Sequence, residues 1–148
     1  MNPDDALIAA LKLLEKRDYL AEELREALDR RGCDGAQITH ALDCVERWGF
    51  IDDQRVARSV AERQSRRYGK ERILAELEAK GASEQVRAAI EKRFTHADQI
   101  AKAKTMLAVK KFTPDERAKA ARFLAGRGFS EEVVESIIEV DFKEPSEW

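Results

Sequence analysis

Apolar residues recur at three- and four-residue intervals along nearly the whole chain, the spacing of one face of an α-helix. Ala6, Leu7, Ala10, Leu11 and Leu14 mark a first helix that starts at Asn2-Pro3-Asp4-Asp5, with a cap, a proline and acids, and reaches about Lys16. Arg17-Asp18-Tyr19 turns the chain. Leu24 and Leu28 belong to a second helix that stops at Gly32. Ile38, Leu42, Cys44 and Val45 belong to a third, ending at Trp48-Gly49. A basic helix follows from Asp52-Asp53 to Tyr68. Ile73, Leu74 and Leu77 then lie on a helix stopped by Gly81, and Val86, Ala89 and Ile90 on one capped by Ser83 and reaching about Phe94. Thr95 caps a long helix to about Lys111, carrying Ile100, Ala101, Ala103, Leu107 and Ala108. Thr113-Pro114-Asp115-Glu116 opens a helix with Ala121 and Leu124, and Ser130 caps the last, with Val133, Val134, Ile137 and Ile138. From Asp141 the chain reads as a tail, which Pro145 keeps from continuing as helix. No strand-like alternation stands beside this pattern.

The helix stops share one signal. Arg31-Gly32-Cys33-Asp34, Lys80-Gly81-Ala82-Ser83 and Arg127-Gly128-Phe129-Ser130 each read base, glycine, spacer, cap, and the glycines lie 49 and 47 positions apart. Leu28, Leu77 and Leu124 stand four residues before them. Val86 and Ile90 follow the second glycine as Val133 and Ile137 follow the third; Ile38 and Leu42 follow the first with one extra residue. This predicts an all-α chain of three tandem three-helix, helix-turn-helix-like repeats in an elongated array, at 1–51, 52–95 and 96–142, with a flexible tail at 143–148. Glycine after a basic residue is first of all a helix C-cap, so these signals speak to fold before function.

Trp48-Gly49-Phe50-Ile51-Asp52-Asp53 is the most ordered stretch of signals. Gly49 ends a helix, Phe50 is expected to fold back on its last turn, and Asp52 caps the next. On the helix that follows, Val56, Ala57, Val60, Ala61, Gln64 and Tyr68 share one face, and Arg55, Arg58, Ser59, Glu62 and Arg66 the other.

The net charge of −2 conceals a polarised chain. Residues 1–49 carry seven basic against eleven acidic side chains, residues 54–72 seven against two, residues 96–127 eight against three, and residues 128–148 one against seven. A basic middle between acidic ends concerns partners rather than fold. No apolar run approaches a membrane span and no signal-peptide pattern is present, so a cytoplasmic protein is expected. Two cysteines, Cys33 and Cys44, with no Cys-x-x-Cys spacing, fit a reducing compartment.

Catalytic constellations are missing. His40 and His96 have no ligand partner at metal spacing, and no phosphate loop, Gly-x-Ser-x-Gly or His-Glu-x-x-His occurs. The carboxylates stand at helix starts or four residues from a base, where capping and surface pairing account for them. A non-enzymatic protein with no metal or cofactor is expected.

The Trp48–Asp53 stretch with Ala57, then Tyr68-Gly69 with Arg72-Ile73, Leu77 and Lys80-Gly81, then Phe123-Leu124-Ala125-Gly126-Arg127-Gly128-Phe129-Ser130, in this order, resemble the RecX family of regulators of the RecA recombinase. The resemblance runs from about residue 6 to about residue 140, and Glu23-Leu24 after Arg17 matches the family's first repeat; Leu20 stands where the family usually has a serine cap. It implies tandem three-helix units and a monomer that lies in the groove of the RecA–DNA filament, most often restraining its ATPase and strand exchange in DNA repair and the SOS response. The partners it implies are the RecA filament and the single-stranded DNA within it, with weak direct DNA binding as a lesser expectation. The basic residues expected to contact filament or DNA are Arg55, Arg58, Arg63, Arg66, Arg67, Lys70, Arg72, Lys102, Lys104, Lys119 and Arg122.

The alternative is a helix-turn-helix DNA-binding protein. Base readout by such a protein needs donors early on a recognition helix. Here the third helices begin Gly35-Ala36-Gln37, Glu84-Gln85-Val86 and Glu131-Glu132-Val133, and glutamates there repel phosphates.

Overall fold

The computed structural model describes residues 4–142, and among these it contains nine α-helices and no strand. They are α1 (Asp5–Lys16), α2 (Ala21–Arg30), α3 (Gly35–Arg47), α4 (Asp53–Gln64), α5 (Lys70–Ala79), α6 (Glu84–Glu91), α7 (His96–Lys110), α8 (Arg117–Gly126) and α9 (Glu131–Asp141). The expected Asn2-Pro3 helix start and the tail at 143–148 lie outside the described residues. By contacts the chain divides into two units, one holding the described residues up to Val60 with Leu77–Ala89, the other Ala61–Glu76 with those from Ile90 onward.

In the first unit α1, α2 and α3 pack on one another around Leu13, Leu24, Leu28, Ile38, Val45 and Ile51. Leu24 and Leu28 are fully buried. Each such leucine contributes about 1.5–3 kcal/mol relative to an exposed one. Asp34 starts α3 as its sequence signal indicates: its Oδ1 accepts from the Gln37 N–H at 2.8 Å while the Gln37 side chain accepts from the Asp34 N–H at 3.3 Å.

In the second unit α7, α8 and α9 surround Ala103, Leu107, Leu124, Phe129, Val133 and Ile137. Thr95 and Ser130 cap α7 and α9, accepting from the N–H groups of Asp98 and Val133 at 3.1 and 3.3 Å. Phe142, the last residue assigned to the third repeat, is buried against this core, because α9 continues through Asp141 before the chain turns. Ala101 and Ala108, read as inward positions of α7, are exposed.

Three helix boundaries differ from the periodicity. α6 ends at Glu91 rather than near Phe94. α4 stops at Gln64 rather than Tyr68. The Arg67 and Tyr68 N–H groups both turn back to the Gln64 carbonyl, at 3.0 and 2.9 Å, and Gly69 donates instead to the Arg127 carbonyl at 2.8 Å. α8 starts at Arg117, not Thr113. Thr113 to Glu116 form a turn in which Glu116 Oε1 accepts from both the Thr113 N–H (3.0 Å) and its hydroxyl (2.9 Å).

Two helix starts borrow their caps from elsewhere in the sequence. α2 follows Leu20, which has no side-chain acceptor; Asp53 Oδ1 accepts from the Ala21 N–H at 2.9 Å, and Glu23 Oε1 from the Leu20 N–H at 3.1 Å. α5 begins in the same way. Gln99 Oε1 accepts from the Lys70 N–H at 2.9 Å, and the Gly128 carbonyl accepts from the Glu71 N–H at 2.9 Å. The first turns of these helices also receive glycine turns. Gly81 (φ +91°) lies so close to Glu22 that a Cβ there would sit 2.5 Å from the Glu22 Cβ, and one on Gly128 (φ +93°) would collide with Arg72.

Candidate nucleic-acid interface

The apolar side of α4 is buried at Val56, Ala57, Val60 and Ala61, and this orientation turns Arg55 and Arg58, three residues apart, outward. No carboxylate among the described residues forms an ion pair with Arg55, Arg58, Arg66 or Arg67. Glu62, on the same face, pairs with Arg93 at 3.7 Å. In the first unit Arg55 also edges a cavity of about 570 Å³ walled by Leu11, Leu14 and Phe50. Phe50 does not bury itself on the preceding turn. It is 50% exposed, and its ring meets Trp48 edge to face at 6.0 Å.

In the second unit, Arg66 leaves the arginine stripe because α4 has already ended. Together with Arg67, Lys110, Phe123 and Arg127 it lines a cavity of about 390 Å³, whose apolar wall is Met106 and Val109. Arg127 lies 5.4 Å from the Phe123 ring centre and 5.9 Å from that of Tyr68, and Lys110 lies 5.3 Å from Phe123. Arg72 stacks on Tyr68 at 3.8 Å and reaches the Gly126 carbonyl with a long hydrogen bond of 3.4 Å. These are distances at which a cation is attracted to the face of an aromatic ring. Arg67 also lines a second cavity, of about 480 Å³, beside Tyr68, Arg72 and Glu76.

The remaining basic residues selected by sequence are not equivalent. Arg63 is exposed in the last turn of α4. Lys70 is drawn to Glu91 (3.5 Å) and Glu71 (3.9 Å), and Lys119 to Glu116 (3.4 Å). Thr113, first through its N–H and then its hydroxyl, and Lys119 with them, hold the Glu116 carboxyl below its ordinary range. Lys102 sits 5.6 Å from the Phe94 ring; burial pushes its ammonium down from the usual lysine value, partly opposed by Asp98. Lys104 is exposed and lines a separate cavity of about 290 Å³ with Lys111 and Asp141. Arg122 is exposed on α8.

Tyr68, Lys110, Phe123 and Arg127 are absent from the sequence-based selection. Arg127 carries the helix-cap signal, which hides any second role, and Lys110 is one lysine among many. Phe123 stands three residues before Gly126, and nothing local says that its ring meets Lys110. Among the described residues no cluster of His, Cys, Asp and Glu could hold a metal ion, and no helix is long and apolar enough to cross a membrane.

No family model matches the chain. Individual relatives do. The regulatory protein RecX of Thermus thermophilus is 36% identical over 125 residues, covering 84% of each chain. That of Chromohalobacter salexigens is 38% identical over 132 residues (84% of this chain, 85% of the relative), and that of Acidithiobacillus ferrooxidans 30% identical over 145 residues (90% and 89%). Among solved structures, RecX from Lactobacillus salivarius superposes with a TM-score of 0.81 at 18% identity over 95% of this chain and 96% of its own. A second crystal structure of regulatory protein RecX gives 0.80 at 24% identity, over 91% and 72%. The helical architecture and the relatives' identity over most of their length lead to one assignment: this chain belongs to the RecX family of regulatory proteins.

Proposed function

We propose that this protein is a non-enzymatic regulator that binds the groove of the RecA–DNA filament and restrains its ATPase and strand exchange, acting as a monomer in the cytoplasm. The three helix trios, 1–51, 52–95 and 96–142, are its repeating units. The observation that carries this reading is the outward arginine pair of α4. Arg55 and Arg58 are exposed and project from the side opposite Val56 and Val60, and among the described residues their guanidinium groups form no ion pair with a carboxylate, the Asp52 carboxylate being taken up by the Arg55 backbone N–H. Cations left unneutralised on a rigid helix suit an extended polyanion or an acidic protein surface. Family membership supports the recombinase as the partner.

The helix-turn-helix alternative is less well supported. Glu84 and Glu131 are exposed on the first turns of α6 and α9, the positions that would face phosphates and base edges.

The test is to add the protein to preformed RecA filaments on single-stranded DNA and follow ATP hydrolysis and filament length. The wild type should slow hydrolysis, less so as salt rises, since screening acts on exposed charges. The Arg55→Glu, Arg58→Glu double variant should keep its helicity and lose about tenfold or more in filament affinity. A folded double variant that acts like the wild type would remove this pair from the interface.

A further inference from the structure

The first unit presents an apolar face to solvent. Ile8, Trp48 and Phe50 are each about half exposed. On α1, Ile8, Leu11, Leu14 and Glu15 fall within about one third of the helix circumference. Leu11, Leu14 and Glu15 line the cavity of about 570 Å³ together with Gly49, Phe50 and Arg55, and Trp48 meets the Phe50 ring at its rim. Large apolar side chains gathered on a surface mark an interface, and tryptophan and arginine are among the residue types that most often carry the binding energy of one. The same groove holds both signs of charge. Among the described residues, Glu15 and the Arg55 guanidinium form no ion pair, either with each other or with another side chain.

We propose that this face pairs with the same face of a second copy of the chain about a twofold axis. Glu15 of each copy then meets Arg55 of the other, around a centre of Leu11, Leu14, Trp48 and Phe50. In such a contact every interaction occurs twice, with the roles of the two copies exchanged. A groove with one acid and one base is complementary to itself under that operation. A partner of a single charge sign would satisfy Arg55 and oppose Glu15, or the reverse. The acidic excess of residues 1–49, eleven against seven, opposes the approach of two copies, so the pair is weak and separates on dilution. Pairing covers Arg55, one of the two arginines assigned to the filament, and thereby sets the fraction of chains free to bind it. The single chain is the form that acts on the filament, and the pair is its stored form. That consequence rests on the filament reading; the pairing itself does not, because it is measured without recombinase.

The experiment is sedimentation velocity on the full chain over a dilution series. The wild type should pass from two chains to one as it is diluted. Trp48→Ala and Phe50→Ala, both at exposed positions, should each weaken pairing about tenfold with helicity unchanged. Glu15→Arg alone and Arg55→Glu alone each bring like charges together twice across the axis, and should weaken it about tenfold or more. Mixed in equal amounts, these two variants should pair with each other as the wild type does, since each supplies the sign that the other needs. That restoration is specific to a twofold contact of Glu15 with Arg55. A wild type that stays a single chain up to about 1 mM would overturn the proposal. So would a mixture no better paired than its components, or wild-type pairing in both Trp48→Ala and Phe50→Ala. Loss of filament binding in Trp48→Ala, with no pairing in the wild type, would give the face to the recombinase instead. If the chain pairs as described while RecA filaments fail to respond to it, the filament reading falls and the pair stands. If filaments respond but the wild type never pairs, this inference falls alone.

Discussion

At Gly81 the turn after α5 rests against the first turn of α2; at Gly128 the turn after α8 rests against the first turn of α5. Both glycines have positive φ, and both come so close to the helix beneath them that no Cβ fits. They differ in what holds the contact. Beneath Gly81 the nearest atoms are the Glu22 Cβ and Cγ, with the Glu22 Cα at 3.9 Å, and the α2 start is capped by the Asp53 carboxylate. Beneath Gly128 the Arg72 backbone itself is near, its N 2.8 Å from the would-be Cβ. Two main-chain hydrogen bonds stitch the two segments, Gly69 N–H to Arg127 C=O and Glu71 N–H to Gly128 C=O. The cap is the amide of Gln99, 2% exposed, whose Nε2 has no hydrogen-bond partner among the described residues. One packing problem has thus a side-chain solution in the first unit and a backbone solution in the second. Rotation about Cα–Cβ can move the Glu22 Cγ aside but not its Cβ, so the contact at Gly81 is relieved in part, whereas the Arg72 backbone carries its helix with it.

The largest effect that separates the two is Gly128→Val. Left-handed strain contributes about 1–2 kcal/mol and the collision with Arg72 about 1–3 more, so a loss of about 3 kcal/mol or more is expected in urea unfolding. Gly81→Val suffers the same strain, but Glu22 partly yields, and about 2 kcal/mol is expected. If Gly81→Val proves the more damaging, the distinction between the two contacts is wrong. Next come the caps. Gln99→Ala should cost about 2 kcal/mol, since it removes a buried side chain and leaves the Lys70 N–H unpaired. Asp53→Ala should cost about 1 kcal/mol, the usual loss for an exposed or half-exposed cap. Equal losses at the two sites would mean that the burial of Gln99 adds nothing. The smallest effect belongs to Gly32→Ala. Gly32 shares the positive φ (+86°) but would bring no new atom within 4 Å of a neighbour, so only the backbone strain of about 1 kcal/mol is expected. A much larger loss there would show that the turn itself, and not its docking, dominates at all three glycines.

What could be read along the chain was what neighbouring residues decide together. The helices, the turns at Gly81 and Gly128 and the caps at Asp34, Ser83, Thr95 and Ser130 all follow from spacings of four residues or fewer, and all are present. Leu20 shows the limit. It offers no cap, yet α2 starts beside it because Asp53 supplies the acceptor from 32 residues away. Likewise, nothing in Gln64-Ser65-Arg66-Arg67-Tyr68 forbids a helix; α4 ends there as Gly69 is held by Arg127. The site was legible to the same degree. Arg55 and Arg58 stand where the helical period puts them. Arg66 is exposed but does not align with them as the helical period places it, since α4 ends first and Arg66 instead lines a cavity with Arg67, Lys110, Phe123 and Arg127.

The stitching at Gly69 and Glu71 also sets an order in time. During synthesis α5 leaves the ribosome well before residues 127 and 128, and until they arrive two N–H groups at its start, those of Gly69 and Glu71, lack the partners they have in the finished protein, while that of Lys70 waits for Gln99. Chain ending after Phe94 would contain every residue of α5 and still leave that end frayed. The last third of the sequence therefore works as a completion step for a helix made earlier, and hydrogen exchange at the Glu71 amide is the clock that would time it.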